Sequence, residues 1–231
     1  MILNYAASCR ELSMNEDNDY VQRDDQGNIL FRVPLKDGKP HGIGKMFNSE
    51  GRMAQQMEYQ HGVVEGEVRR FDEEGHLVQV ANMQNGKLNG ELRTFEHQRP
   101  HTLMNYVNNE PNGLMRAWHP NGQLAAETTL LHGKQEGESL VYGEQGELMQ
   151  RLTYQKGVLH GSAEQLFPSG AVREKTHWVE GLKHGESSTF SESGELERQV
   201  QYEKGKVLSQ KIADKSPAKK KSWHQAIFRG K

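Results

Sequence analysis

The stretch GKQEGESLVYGEQGELMQRLTYQ, Gly133 to Gln155, decides the fold. It holds a glycine pair four residues apart, a Glu, an aromatic, a second glycine turn, then Leu and a second aromatic. The same phrase recurs along the chain, and a fixed period of 20–50 residues marks a repeat architecture. The opening glycine falls at Gly38, Gly62, Gly86, Gly133, Gly157, Gly181 and Gly205. The second falls at Gly42, Gly66, Gly90, Gly113, Gly137, Gly161 and Gly185. The turn glycine falls at Gly27, Gly51, Gly75, Gly122, Gly146, Gly170 and Gly194. The step is 24 residues except around the middle copy, where Asn109 takes the opening glycine's slot, Arg99 the turn glycine's, and one residue is missing upstream of Asn109. Three registers holding one phase exclude a merely Gly-rich flexible chain.

Within a unit the side-chain parity is two. Glu138, Leu140 and Tyr142 share one face of a segment, and Leu148, Gln150, Leu152 and Tyr154 share one face of the next. That alternation specifies strands, and segments of about 5–7 residues have the usual strand length. Each unit is therefore a hairpin. The expected fold is all-β, an elongated antiparallel β-meander or solenoid of about seven 24-residue hairpins. A lone hairpin cannot bury its apolar face, but a stack can, each unit covering the next.

Two aromatic slots follow from the period. The first holds Phe47, Phe71, Phe95, Trp118, Tyr142, Leu166 and Phe190; the second holds Tyr59, Met83, Tyr106 or Val107, Leu130, Tyr154, Trp178 and Tyr202. A third slot, two residues past the turn glycine, holds Ile29, Met53, Leu77, Leu124, Leu148, Val172 and Leu196. These rows are expected to form the packing spine. Where the sheet is open, the rings of Phe47, Phe71, Phe95, Trp118, Tyr142, Phe190, Tyr59, Tyr154, Trp178 and Tyr202 also form a candidate partner-binding ladder.

The tracts GKLNGELRTF from Gly86, HPNGQLAAETTL from His119 and HGKQEGESLVYGEQGELMQRLTY from His132 resemble the bacterial MORN-variant repeat. The pattern is similar to chains grouped as YwqK family antitoxins of toxin–antitoxin systems, over roughly residues 37–208. The resemblance implies an elongated antiparallel meander that works by binding, and a role in neutralising a partner toxin. The departures at Asn109, Arg99 and Leu166 predict bends or bulges in the middle repeats.

Composition fits a thin sheet. Apolar residues are 34% of 231 and the mean hydropathy is −0.88. That is too polar for two packed layers but enough for one half-buried face. Residues 1–19 precede the repeat as a cap or disordered segment. They have neither the basic start nor the apolar run of a secretory signal. The lone Cys9 excludes an internal disulfide and suits a reducing compartment, so a cytoplasmic location is expected. Ala6-Ala7-Ser8-Cys9 faintly resembles a lipoprotein cleavage box, and a lipid-anchored periplasmic protein follows if translation starts further upstream. Residues 20–36 read as a degenerate half-repeat, with Pro34 placed on an edge strand. Residues 37–208 are the array. Residues 209–231 are a basic tail: from Lys211 on they hold seven of the 29 Lys/Arg and one of the 31 Asp/Glu, leaving the rest with 22 cations against 30 anions. A basic tail on an acidic body can touch nucleic acid, an anionic lipid, an acidic partner or its own sheet.

The search for chemistry ends in binding. His41, His160 and His184 precede second glycines, and His61 and His132 precede first ones. Like positions in adjacent repeats lie two strands, roughly 9.6 Å, apart, too far to share one metal whose ligands sit about 2.0–2.2 Å from it. No metal or cofactor is expected. Glu67, Glu91, Glu138 and Glu186 recur with the period, so every unit would be an equal site, and a solvated or turn-tying role is expected. Nucleophile elbows, Walker loops and His-Glu-x-x-His are absent from the sequence. The reading is a non-catalytic protein-binding array, antitoxin- or immunity-like, for a toxin or effector. The alternative is a membrane-surface or phospholipid-binding platform, with the basic tail as the lipid contact; nucleic acid is not expected.

Overall fold

The computed structural model describes residues 12–14 and 18–213. They form one open, all-β sheet, with no helix among the described residues. The strands run β1 (Leu12–Met14), β2 (Asp19–Arg23), β3 (Ile29–Lys36), β4 (Lys39–Pro40), β5 (Gly42–Phe47), β6 (Met53–Gln60), β7 (Val63–Phe71), β8 (Leu77–Gln84), β9 (Lys87–Glu96) and β10 (Arg99–Val107). They continue as β11 (Glu110–Trp118), β12 (Leu124–Leu131), β13 (Lys134–Tyr142), β14 (Leu148–Gln155), β15 (Val158–Leu166), β16 (Val172–Val179), β17 (Leu182–Phe190), β18 (Leu196–Glu203) and β19 (Lys206–Ile212). From β5 to β19 each strand pairs antiparallel with the next. β4 and β5 act as one strand interrupted at His41, since both pair with β3. At about 4.8 Å per strand the meander extends roughly 80 Å along the sheet.

Two turn types alternate, and each explains one glycine register. At one end the first glycine closes a two-residue turn in which both residues have positive φ, as at His132 (50°) and Gly133 (70°). This is the mirror-image hairpin turn whose twist matches that of paired strands. The glycine's amide then donates to a carbonyl in the preceding repeat: Gly86 to Val64 at 2.9 Å, Gly133 to Pro111 at 2.8 Å, Gly181 to Leu159 at 2.9 Å. Asn109 fills the slot at φ 71°. Its amide donates to the Leu88 carbonyl at 2.8 Å and its Oδ1 accepts from the Leu88 amide at 2.7 Å. Asparagine tolerates the left-handed region, and here it adds a bond that glycine cannot.

At the other end a five-residue loop carries the turn glycine. In Asp72–His76 the Gly75 amide donates to the Asp72 carbonyl, and the Asp72 carboxylate accepts from the amides of Glu74 (3.0 Å) and His76 (2.8 Å). Asp24 and Asn48 repeat this geometry. The middle hairpin departs from it. His97 and Gln98, at φ 48° and 62°, make a two-residue turn between Glu96 and Arg99. The missing residue and the lost turn glycine are thus one event, a long loop replaced by a short one.

The second glycine marks a bulge. Between the pairs Met57↔Val68 and Tyr59↔Val64, β7 has three residues, Glu65 to Glu67, against one in β6. Gly66 sits there at φ 90°, which an L side chain adopts only with strain. Pro34 lies in β3, with β2 on one side and β4–β5 on the other, so the expected edge position is corrected. It is accommodated beside the equivalent bulge at Gly42, where the ladder is already broken.

The packing spine also differs from the expectation. The most buried row is the sixth residue after each turn glycine together with its cross-strand partners. It runs Gly44, Met57, Val68, Ala81, Leu92, Met104, Met115, Thr128, Ser139, Leu152, Ala163, Thr176, Ser187, Val200. Val33 (0% exposed), Met57, Ala81, Thr128, Ser139, Thr176, Ser187 and Val200 (4%) are buried. The rings flank this row and remain half-exposed.

Candidate functional site

The two aromatic slots form separate rows. Second-slot residues share strand parity with the spine and stand directly opposite the second glycines: Gly42↔Tyr59, Gly66↔Met83, Gly90↔Tyr106, Gly137↔Tyr154, Gly161↔Trp178, Gly185↔Tyr202. On their other side they pair with the residue two before the next second glycine: Tyr59↔Val64, Met83↔Leu88, Tyr106↔Pro111, Tyr154↔Leu159, Trp178↔Lys183, Tyr202↔Val207. The result is one stripe, Tyr59 to Val207, parallel to the spine, on what we term the ring face. First-slot residues pair instead with the turn-plus-two slot near the longer loops: Phe47↔Met53, Phe71↔Leu77, Trp118↔Leu124, Tyr142↔Leu148, Leu166↔Val172, Phe190↔Leu196, with Phe95↔Pro100 in the middle hairpin. Phe190 keeps the parity of Glu186 and Ser188 and lines a cavity of about 370 Å³ with them, Lys175 and His177. The candidate ladder therefore divides into two rows that the structure does not bring together.

The face opposite the rings is charged. Glu67 pairs with Arg69 (2.6 Å), Glu91 with Arg93, Arg116 with Glu127 (2.6 Å), and Arg151 with both Glu138 (3.3 Å) and Glu164 (3.0 Å). The Lys175 hydrogen bond and charge, with Arg151 behind, hold the Glu164 carboxyl below its ordinary value, burial opposing. Glu186 accepts from Ser188 at 2.7 Å, which lowers its pKa in the same way. The recurrent glutamates thus belong to a ladder of local pairs, each of small energetic weight on an exposed face.

The histidines before second glycines belong to a stitching position. At that slot Glu65 accepts from the Asn85 amide (2.7 Å), Glu136 from the Lys156 amide (2.7 Å), and His160 Nδ1 from the Glu180 amide (3.4 Å). Each links one repeat to the short turn of the next. His41 places its ring 5.2 Å from that of His61. Asp72, Glu74 and His76 bring ligand atoms within 4.8 Å of one another, but the Asp72 carboxylate is already engaged by turn amides.

One place breaks the repeat. Up to Met115 every spine residue is glycine or apolar; beyond it hydroxyls enter at Thr128, Ser139, Thr176 and Ser187, with Leu152 and Ala163 between them. Small side chains there leave a ring-face cavity of about 310 Å³, lined by Gln150, Gln165, Glu174, Thr176, Trp178 and Lys183 among others. Lys183 stands where other repeats place Val, Leu, Pro or Gln. Its Nζ lies 5.7 Å from the Trp178 ring centre, 5.4 Å from that of Tyr202 and 3.3 Å from Glu174 Oε1. Thr176 donates to Glu174 at 3.0 Å and shares a hydrogen bond with Ser187 at 2.7 Å. Burial pushes the Glu174 pKa up; hydrogen bonds from Thr176, Lys183 and Ser187 outweigh it and leave the carboxyl below its ordinary value. The sequence signal for this cluster was the loss of apolar character at spine positions, which aromatic spacing does not reveal. Cys9 and the basic segment beyond Ala213 lie outside the described residues.

An open antiparallel repeat sheet with a ring face and a charged face is a scaffold of the repeat-protein class. Residues 64–85, 111–132 and 183–210 match MORN_2, the MORN repeat variant, and each match begins two residues before a second glycine. The chain thus carries MORN-variant repeats over these residues, and the units between them keep the same phase. No curated protein matches it. Among solved structures it is similar to S. aureus TarM in complex with Fondaparinux, alpha-GlcNAc-glycerol and UDP, at 10% identity over 48% of this chain and 19% of that one, with a TM-score of 0.24. It is also similar to the TcdB2-TccC3-Cdc42 structure, at 11% identity over 79% and 13% of the two chains, with a TM-score of 0.16. The chain thus spans less than a fifth of either, and similarities this slight say nothing of function.

Proposed function

We infer that the protein is a non-catalytic binding array whose ring face takes a protein partner and neutralises it, as an antitoxin or immunity protein does. The observation that carries this reading is the half-exposed stripe from Tyr59 to Val207, continuous over consecutive strands. Aromatic side chains held on a rigid frame are favoured contact residues in protein interfaces. The acidic balance of the array favours a basic partner through charge steering. The test is co-expression of the full chain with the product of the neighbouring gene. The expected result is growth rescue and co-purification, both lost in a Tyr106→Asp, Tyr154→Asp variant that keeps its far-UV β signal. Retention of both in that variant, or binding of the full chain to anionic vesicles with no protein captured, would reject it.

A further inference from the structure

We propose that the ring-face cavity between β14 and β17 binds a neutral oligosaccharide. The cavity, about 310 Å³, is of the size that takes a small ligand. Its polar lining is mixed: the amides of Gln150 and Gln165, the Thr176 hydroxyl, and three charged groups, the carboxylates of Glu164 and Glu174 and the ammonium of Lys183. These groups both donate and accept, which suits a ligand dense in hydroxyls. Trp178 adds an indole, whose π-face carries partial negative charge and attracts the polarised C–H bonds of a sugar ring.

Charge separates this ligand class from its rivals. Glu174 is paired with Lys183 at 3.3 Å, and Glu164 with Lys175 at 2.9 Å and Arg151 at 3.0 Å, so each charged group of the lining already has its counter-ion and none is left over for a phosphate, a lipid headgroup or a basic side chain. An ionic ligand would have to break one of these pairs, whereas a neutral polyol bonds to their free lone pairs. The hydroxyl character of the floor also extends beyond the cavity. Thr128 is 8% exposed, and its Oγ1 has no partner among the described residues. From Thr128 through Ser139, Leu152, Ala163 and Thr176 to Ser187 the row crosses five strand spacings, roughly 24 Å. Tyr154 and Trp178 stand two strands apart beside it, roughly 9.6 Å. A linear chain of sugars lying along this row would meet rings at one edge and, beneath it, hydroxyls at either end with Leu152 and Ala163 between them.

The inference stands apart from the partner reading, because its test uses the full chain alone. Cellotriose, maltotriose and triacetylchitotriose are titrated by calorimetry to about 10 mM, with inorganic phosphate as the charged comparison. Saturable heat is expected from at least one trisaccharide and none from phosphate. Binding is expected to weaken at least ten-fold in Gln150→Ala, Gln165→Ala and in Trp178→Ala, and to persist in Trp118→Phe. Far-UV spectra establish that each variant folds, and the paired glutamine variant decides the matter if Trp178→Ala does not. Absence of saturation with all three sugars overturns the proposal. So does unchanged affinity in the glutamine variant, or phosphate binding that displaces the sugar.

Discussion

Gly44→Ala sets two physical effects against each other, and the structure says which wins. Gly44 lies inside β5, in extended backbone, where glycine weakens a strand. On conformational grounds alone, alanine should stabilise by about 0.5–1 kcal/mol. But a Cβ at position 44 would meet Tyr59 Cε2 at 2.8 Å, Tyr59 Cδ2 at 3.2 Å and Phe31 Cε2 at 3.3 Å. Carbon atoms pack best at about 3.5–4.0 Å, so the Tyr59 ring must retreat by several tenths of an ångström or more. That ring is held edge-on to Phe31, with centroids 6.5 Å apart at 68°. Overpacking of this kind costs about 1–3 kcal/mol, and the net expectation is a loss of about 0.5–2 kcal/mol. The assay is equilibrium urea unfolding of Gly44→Ala, Tyr59→Leu and the double variant. The loss should shrink or reverse in the Tyr59→Leu background, since the colliding ring is gone. A higher urea midpoint for Gly44→Ala in the parent background would refute the claim that a ring lies over the spine glycine.

The other predictions use the same measurement. Trp118 is only half-buried, beside His97, Arg99 and Pro100, so Trp118→Ala should cost about 1–2 kcal/mol, well below the roughly 3–5 kcal/mol of a fully buried ring; a larger loss would place the ring in a core the structure does not contain. Glu164 and Glu174 have folded-state pKa values below the ordinary 4.5. In the unfolded chain they bind protons more readily, so their contribution is complete above about pH 4.5 and is lost as pH falls through the lowered folded values. Urea midpoints of the parent should therefore drop as pH falls below about 4.5, less steeply in Glu164→Gln; identical pH slopes for the two would exclude Glu164 as a contributor. Deleting residues 133–156, one full repeat, should leave a folded sheet with one hairpin fewer. Deleting residues 133–144 reverses strand direction at the junction and should cost far more, and equal damage from both would contradict the array.

Much of the fold was legible because glycine registers record backbone dihedrals. A position that needs φ near +90° admits little else, so turns and bulges leave a periodic trace. Asn109 and the Arg99 region were harder to read. In each, a different residue solved the same backbone problem, an asparagine by bonding Leu88 and the pair His97–Gln98 by closing a shorter loop. The spine was misassigned to the aromatics for a related reason. Rings are conspicuous at fixed spacing, but in a one-layer sheet a ring covers its neighbours and stays half-wet itself. The residues it covers are small or flexible and vary from Met57 to Ala81 to Thr176, so no single letter recurs to mark the row.

That division of labour also explains why the site was less legible than the scaffold. Turn amides, bulge glycines and the stitching bonds from Glu65, Glu136 and His160 hold each unit to the next without using the middle of the strands. The strand centres are then free to vary in size and polarity while the register is kept. Met57, Val68, Leu92, Met104 and Met115 fill most of the spine over the earlier repeats, whereas Ala163 and Thr176 leave the ring face open near Trp178. A cavity can therefore arise at any repeat by substitution at two or three spine positions. It would leave the 24-residue period untouched, because the period belongs to the turns.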